Sequence, residues 1–258
     1  VQRFVHLWNV IVVIELHGRP YTGNLAEGTD LSLPVQAENG GIRAFGLGPV
    51  EITPFRVPGF TGKVTEGGSA NCDLLRFYPH GNCTHTESIG HITPEQQSVN
   101  DIFSRYWFSA ALVSIEPESQ GEDRVITRRQ LEALSLPKAD ALVVRTLPNQ
   151  SDKIQRDYSG SNPPYFAADA LAWAAEKGFQ HLLCDLPSVD RESDGGKMAA
   201  HKAWWQYPEQ PRLQASITEL IYVPDDLNDG FYLLNLQVAP IVDDAAPSRP
   251  VLYALRPL

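Results

Sequence analysis

Residues 139–146, 166–177 and 182–186 constrain the fold more than any other part of the chain. Ala141-Leu142-Val143-Val144 is an unbroken apolar run of strand length, as in a strand buried on both faces. Phe166, Ala170, Leu171, Trp173 and Ala174 recur at helical spacing, and Gly178 follows as a stop. Leu182-Leu183-Cys184-Asp185-Leu186 is a second buried strand. Strand, helix and strand joined by short links make a crossover unit, which requires at least two parallel strands in one sheet. The expected fold class is therefore α/β, with a mixed, partly parallel β-sheet flanked by helices.

The remaining pattern adds strands to that sheet. Residues 11–16 and 21–25 flank His17-Gly18-Arg19-Pro20 and predict a hairpin. Residues 30–35 alternate polar and apolar, which predicts a half-buried strand. Residues 70–77, 107–115, 217–223, 231–236 and 250–255 read as further strands. Residues 38–68 and 147–164 are rich in turn residues and predict surface excursions. Thr93-Pro94 predicts a helix start, residues 126–134 a short helix capped by Thr127, and residues 197–205 a helix carrying His201. Residues 1–29 are read as a hairpin extension and 30–258 as the main domain.

Composition excludes several function classes. The formal net charge is −10 with no basic stripe, which argues against a nucleic-acid surface. Residues 8–16 are apolar but too short to span a bilayer, and they lack the basic start and cleavage site of a secretory leader. Cys72, Cys83 and Cys184 match no zinc-knuckle or disulfide spacing, which favours a reducing, cytoplasmic compartment.

The chemistry concentrates in residues 78–91. Three of seven histidines, His80, His85 and His91, fall within twelve residues, together with Glu87. On a strand His85 and Glu87 share one face about 6–7 Å apart. There they can converge on one metal ion at roughly 2.0–2.2 Å each. The competing reading is a polar surface loop without a ligand. Asp185, Ser188 and Asp190 stand just after a strand, where functional groups gather and where ordinary turn chemistry also occurs. Glu219 lies in an apolar strand, either on an exposed edge or buried with a cation. Trp204, Trp205 and Tyr207 are read first as core and second as an aromatic pocket.

Four separated blocks together resemble the cyclase family of metal-dependent hydrolases, which includes bacterial kynurenine formamidase. That family's hallmark is His-x-Gly-Thr-His-x-Asp-x-Pro-x-His, followed by Asp-x-Pro-Ser-Val-Asp, a helix with a His and a strand with a Glu. Here Thr84, His85 and His91 match, Glu87 stands for the Asp, and Asp185-Leu186-Pro187-Ser188-Val189-Asp190, His201 and Glu219 follow in order. The chain departs at Gly81, where the family has its first metal His, at Cys83 for Gly and at Ile89 for Pro. It resembles a divergent member.

The resemblance implies a swivelling β/β/α-like domain and hydrolysis of an aryl formamide, a cyclic amide or a related ester. It implies His85, Glu87, His201 and Glu219 as metal ligands with His80 as a fifth, and His91 and Glu219 in catalysis. Thr84 and Asn82 would orient ligands, and Cys83 would be a neutral spacer or a soft ligand. The donor set suits Zn²⁺, then Mn²⁺, with one ion rather than two. A homodimer or larger assembly and a small-molecule substrate are expected. The alternatives are a non-catalytic small-molecule binding protein and a metal-dependent dehydratase or isomerase.

Overall fold

The computed structural model describes residues 9–37 and 41–258. The start of the apolar run at Trp8 and of the turn-rich stretch at Glu38 lies outside these residues. Nine strands form the main sheet. They are β1 (Ile11–Leu16), β2 (Arg19–Asp30), β3 (His85–Glu87), β4 (Trp107–Ile115), β5 (Ala141–Thr146), β6 (His181–Cys184), β7 (Ser216–Glu219), β8 (Gly230–Val238) and β9 (Ala245–Pro257). Their order is β1-β2-β9-β8-β4-β5-β6-β7-β3, and β3 also pairs with β9. That last pairing closes the sheet into a barrel. Strands β4 to β7 are parallel neighbours, and every other pairing is antiparallel.

The central strands are covered on both faces, as their continuous apolar runs require. Alternate residues sort into two cores. Ala110, Leu112, Ala141, Val143, Leu183 and Leu234 pack together inside the barrel. Ala111, Val113, Leu142, Val144, Leu182 and Ile217 face outward against helices α2 (Arg128–Glu132), α3 (Ala168–Glu176) and α4 (Ala199–Trp205). The crossover β5-α3-β6 is the predicted parallel unit. Gly178 takes a left-handed φ of 90° just past α3. Phe166, expected in that helix, belongs instead to a short strand (Tyr165–Phe166) paired with Val125 and Ile126.

The predicted hairpin forms, and its long second strand joins the main sheet along β9. Three local expectations change. Asp30 ends β2 opposite Val251; beyond it residues 31–35 keep their alternation, with Leu31 and Leu33 buried, but form no strand and make one isolated bridge, Ser32 to Ile221. Leu33 N–H is used by the Thr84 hydroxyl instead, and Pro34 has no N–H to give. Residues 73–76 do form a strand, but it is exposed and pairs only with Glu51–Pro54, outside the main sheet. The helix expected at Thr93 is absent. The chain there reverses so that the Gln97 carbonyl accepts the Ser88 hydroxyl. Gly90 permits this approach, because a Cβ would lie 2.3 Å from the Gln97 oxygen.

Helix α2 carries a complete capping box. Thr127 Oγ1 accepts from Gln130 N–H, and the Gln130 side chain accepts from Thr127 N–H. We expect Thr127→Ala to lower stability by about 1 kcal/mol, read as a lower urea midpoint at unchanged slope.

Candidate metal centre

The register of β7 against β3 places Glu219 directly opposite His85 and Ile217 opposite Glu87. Ile217 belongs to the outer, helix-facing core, so these side chains lie on that face of the sheet. Helix α4 crosses the same face and supplies His201. The one-turn helix α1 (Pro79–Asn82) supplies His80, and a single 3₁₀ turn (Ile89–His91) supplies His91.

Six predicted residues meet. Glu87 is fully buried, with His80 Nδ1 and His201 Nε2 each 3.2 Å from its two oxygens and His91 Nε2 at 3.9 Å. His85 Nε2 lies 3.5 Å from Glu219 Oε2. Glu219 Oε1 accepts from Val189 N–H at 2.8 Å. His80, His85 and Glu87 offer ligand atoms within 4.8 Å of one another, as do Glu87, His91 and His201.

Each imidazole is held from outside. His85 Nδ1 lies 3.1 Å from the Cys83 carbonyl, and His201 Nδ1 lies 2.6 Å from Asp190 Oδ2. His80 Nε2 and His91 Nδ1 lie 3.0 and 3.1 Å from Asp244 Oδ2. These partners are acceptors, so each ring donates outward and turns its other nitrogen inward. Inside, His85 Nε2, His201 Nε2 and both Glu87 oxygens are buried without an aligned hydrogen bond. Buried polar atoms left unpaired are costly. They fall in the two triads that share Glu87, each an imidazole and carboxylate set that suits a divalent cation. Among the described residues, the ion pairs of Glu87 and Glu219 are all with histidine.

Without a cation, protons hold the cluster together. Burial works against the charged rings, but the Asp244 and Glu87 interactions raise His80 to about 10. Asp190 and Glu87 likewise raise His201 to about 10 against burial. Burial also opposes the Glu87 carboxylate, yet the surrounding imidazoles hold it well below its usual range. The hydrogen bond from His80, then that from His91, lowers Asp244.

The other predicted residues are elsewhere engaged. Thr84 Oγ1 accepts from Leu33 N–H at 2.7 Å and donates to the Leu220 carbonyl. The Asn82 amide donates to the Ile42 and Gly48 carbonyls and accepts from Tyr78 N–H, which folds the α1 turn. Both brace backbone rather than face the cluster. Cys83 is buried, and burial pushes its thiol up to about 12, so it stays uncharged. Trp204 and Trp205 are core, with Trp205 stacked on His201 at 5.7 Å. Of the predicted Asp185, Ser188 and Asp190, Asp190 reaches the centre, beside the Val189 N–H that holds Glu219. Asp185 pairs with buried Lys153 at 2.7 Å, and Ser188 accepts from Asp190 N–H. Asp244 is the group that sequence reasoning missed. Its signal is an acidic pair, Asp243-Asp244, directly ahead of an apolar strand.

A family model described as "Putative cyclase" matches residues 29–191, well over half of the chain. The chain belongs to the cyclase family. Cyclase-family relatives named kynurenine formamidase, from Bacillus cereus and Bacillus thuringiensis, are 25% and 26% identical over 193 residues, 75% of this chain and 83% of theirs. A structure described as a potential metal-dependent hydrolase with cyclase activity superposes with a TM-score of 0.64 at 17% identity, covering 88% of this chain and 97% of the other. An isatin hydrolase bound to the product analogue thioisatinate does so at 0.56 and 13%, covering 89% and 93%. Those two likenesses concern the fold. Position 81, where the chain departs from the cyclase hallmark, is closely packed. A Cβ on Gly81 would stand 2.7 Å from the Leu47 side chain and 3.3 Å from the Ala44 carbonyl. The α1 turn instead brings His80, one residue earlier, against Glu87.

Two outcomes follow from this geometry. His80 and His201 titrate higher folded than their ordinary 6.5, so their stabilisation is complete below pH 6.5 and lost as pH rises towards about 10. Glu87 and Asp244 are lowered, so theirs is present above 4.5 and 3.8 and lost as pH falls further. The urea midpoint of chelator-treated protein should therefore peak between pH 4.5 and 6.5 and decline through pH 10; a rise over that upper range would contradict it. Thr84→Val, which leaves two buried backbone groups unpaired, should cost about 2–4 kcal/mol by urea unfolding.

Proposed function

We propose that this chain is a metal-dependent hydrolase of a non-peptide C–N amide, an aryl formamide or a cyclic amide, or of a related ester. The observation that carries this is the pair of triads that share buried Glu87, one with His80 and His85 and one with His91 and His201, in which His85 Nε2, His201 Nε2 and both Glu87 oxygens lack a hydrogen bond. Relatives named kynurenine formamidase and the isatin hydrolase fold support the amide class.

His85, His201 and Glu87 would hold the ion, with His80 Nδ1 and Glu219 completing the set. Zinc is the first choice and manganese the second, with one ion rather than two. Such a cation supplies a Lewis acid for the carbonyl and acidifies water near neutral pH. The chain supplies the rest. His91 turns Nε2 towards the pocket while Nδ1 is held by Asp244. It takes a proton from the attacking water and returns it to the leaving nitrogen, which an imidazole near neutral pH can do in both directions. Glu219, fixed by Val189 N–H, keeps a carboxylate beside His85. Assembly as a homodimer or larger belongs to the same proposal and rests on the family resemblance; a cytoplasmic location belongs to it too and rests on three cysteines without disulfide spacing.

Metal analysis of the purified protein, followed by a screen of formamides, lactams and lactones with and without chelator, tests this reading. We expect bound zinc or manganese and chelator-sensitive turnover. His91→Ala should keep the metal and lower kcat about 10²–10⁴-fold, whereas Glu87→Ala should lose the metal. No metal and no metal-dependent turnover would overturn the proposal.

A further inference from the structure

The remaining unexplained group at the centre is Asp244. It lies 164 residues from His80 and 153 from His91 in sequence, yet a single oxygen, Oδ2, meets both rings. The rings lie 4.2 Å apart at 30°, side by side between two carboxylates. On the inner side both face the same Glu87 oxygen, at 3.2 Å for His80 and 3.9 Å for His91. The backbone of Asp244 is equally fixed. Its carbonyl accepts from Ser88 N–H at 2.9 Å, and its amide donates to Asp243 Oδ1 at 2.9 Å. The next residue, Ala245, pairs with Glu87 in the β9–β3 ladder. The outer carboxylate is therefore tied to the strand that carries the inner one.

We propose that Asp244 is a positioning residue that fixes which nitrogen each of two imidazoles turns inward: Nδ1 of His80 for the cation, and Nε2 of His91 for the substrate's proton. An ionised carboxylate accepts and never donates, so each ring must give it an N–H. His80 Nδ1 and His91 Nε2 are then the atoms left to face Glu87. Asp190 does this for His201 alone, and the Cys83 carbonyl for His85 alone. Asp244 differs because it serves one ring of the ligand set and one ring that handles protons. Its loss must disturb cation binding and turnover together. This inference rests on the hydrolase reading, and its test separates the two.

The test uses the full chain carrying Asp244→Ala or Asp244→Asn, with three measurements. They are zinc affinity by competition with a chromophoric chelator, kcat and KM on a substrate found by the screen, and histidine ring ¹⁵N signals by long-range ¹H–¹⁵N NMR. Asp244→Ala should weaken zinc binding about 10–100-fold and lower kcat by a similar factor, with KM changed less than about threefold. The ring signals of His80 and His91 should move while those of His85 and His201 stay. Asp244→Asn keeps the shape and one accepting oxygen. It should restore zinc affinity to within about threefold of wild type but not kcat, because a neutral amide does not stabilise the charged His91 ring. If Asp244→Ala fails to fold, the Asn variant's ring signals and its split between affinity and kcat decide. Unmoved His80 and His91 signals with wild-type zinc affinity would overturn the proposal. If the wild-type chain binds neither zinc nor manganese and shows no metal-dependent turnover, the hydrolase reading falls. The ring signals of the zinc-free protein then decide alone: movement upholds the positioning role, and no movement overturns it.

Discussion

Glu87 is a carboxylate with no exposure to solvent, set at the end of the three-residue strand β3, and the rest of the centre answers to it. Taking an ionised carboxylate out of water costs several kcal/mol unless opposite charge and hydrogen bonds surround it. Here the compensation comes from three imidazoles. Such an arrangement is poorly satisfied by protein alone, since both oxygens lack an aligned donor. It is well satisfied by a cation. The second carboxylate, Glu219, is similarly withdrawn but takes one backbone N–H. The surrounding imidazoles keep the buried Glu87 carboxylate ionised against the cost of burial, and they yield their protons when a metal arrives.

Much of this was legible in the chain itself. The crossover unit follows from Val143, Leu171 and Leu183, whose spacing admits few other arrangements. The cluster follows from His85 and Glu87 being two apart on a strand, and from the order of Asp190, His201 and Glu219 after it. What the sequence hid is instructive. Periodicity says that residues 30–35 alternate, but not that a threonine fifty residues away takes the Leu33 N–H in place of a neighbouring strand. Pro94 is a good first helical residue, yet the packing of Gln97 over Gly90 leaves no room for that helix. For Asp244 the local pattern offers an acidic pair ahead of a strand and nothing about its partners, which are set by barrel closure.

Position 81 illustrates how a divergent chain can keep a site while losing a hallmark letter. The tip of Leu47 and the Ala44 carbonyl pack closely against glycine there, so a larger residue must push Leu47 aside. One turn of helix at residues 79–82 then presents the preceding histidine to Glu87. The ring reaches its place from a neighbouring backbone position. Motif matching by letter alone would count the site as broken, whereas the geometry retains an imidazole on that side of the carboxylate.

The seam between β3 and β9 also bears on how the protein comes into being. Glu87 belongs to one lip of that seam and Asp244 to the other, more than 150 residues later. Joining them requires closing a very long loop, among the slowest events available to a chain of this size. A nascent chain therefore holds its first three cluster histidines well before it holds their outer clasp. Competence to retain a cation arrives only when the barrel shuts, so acquisition of the metal marks the completed fold rather than guiding its beginning.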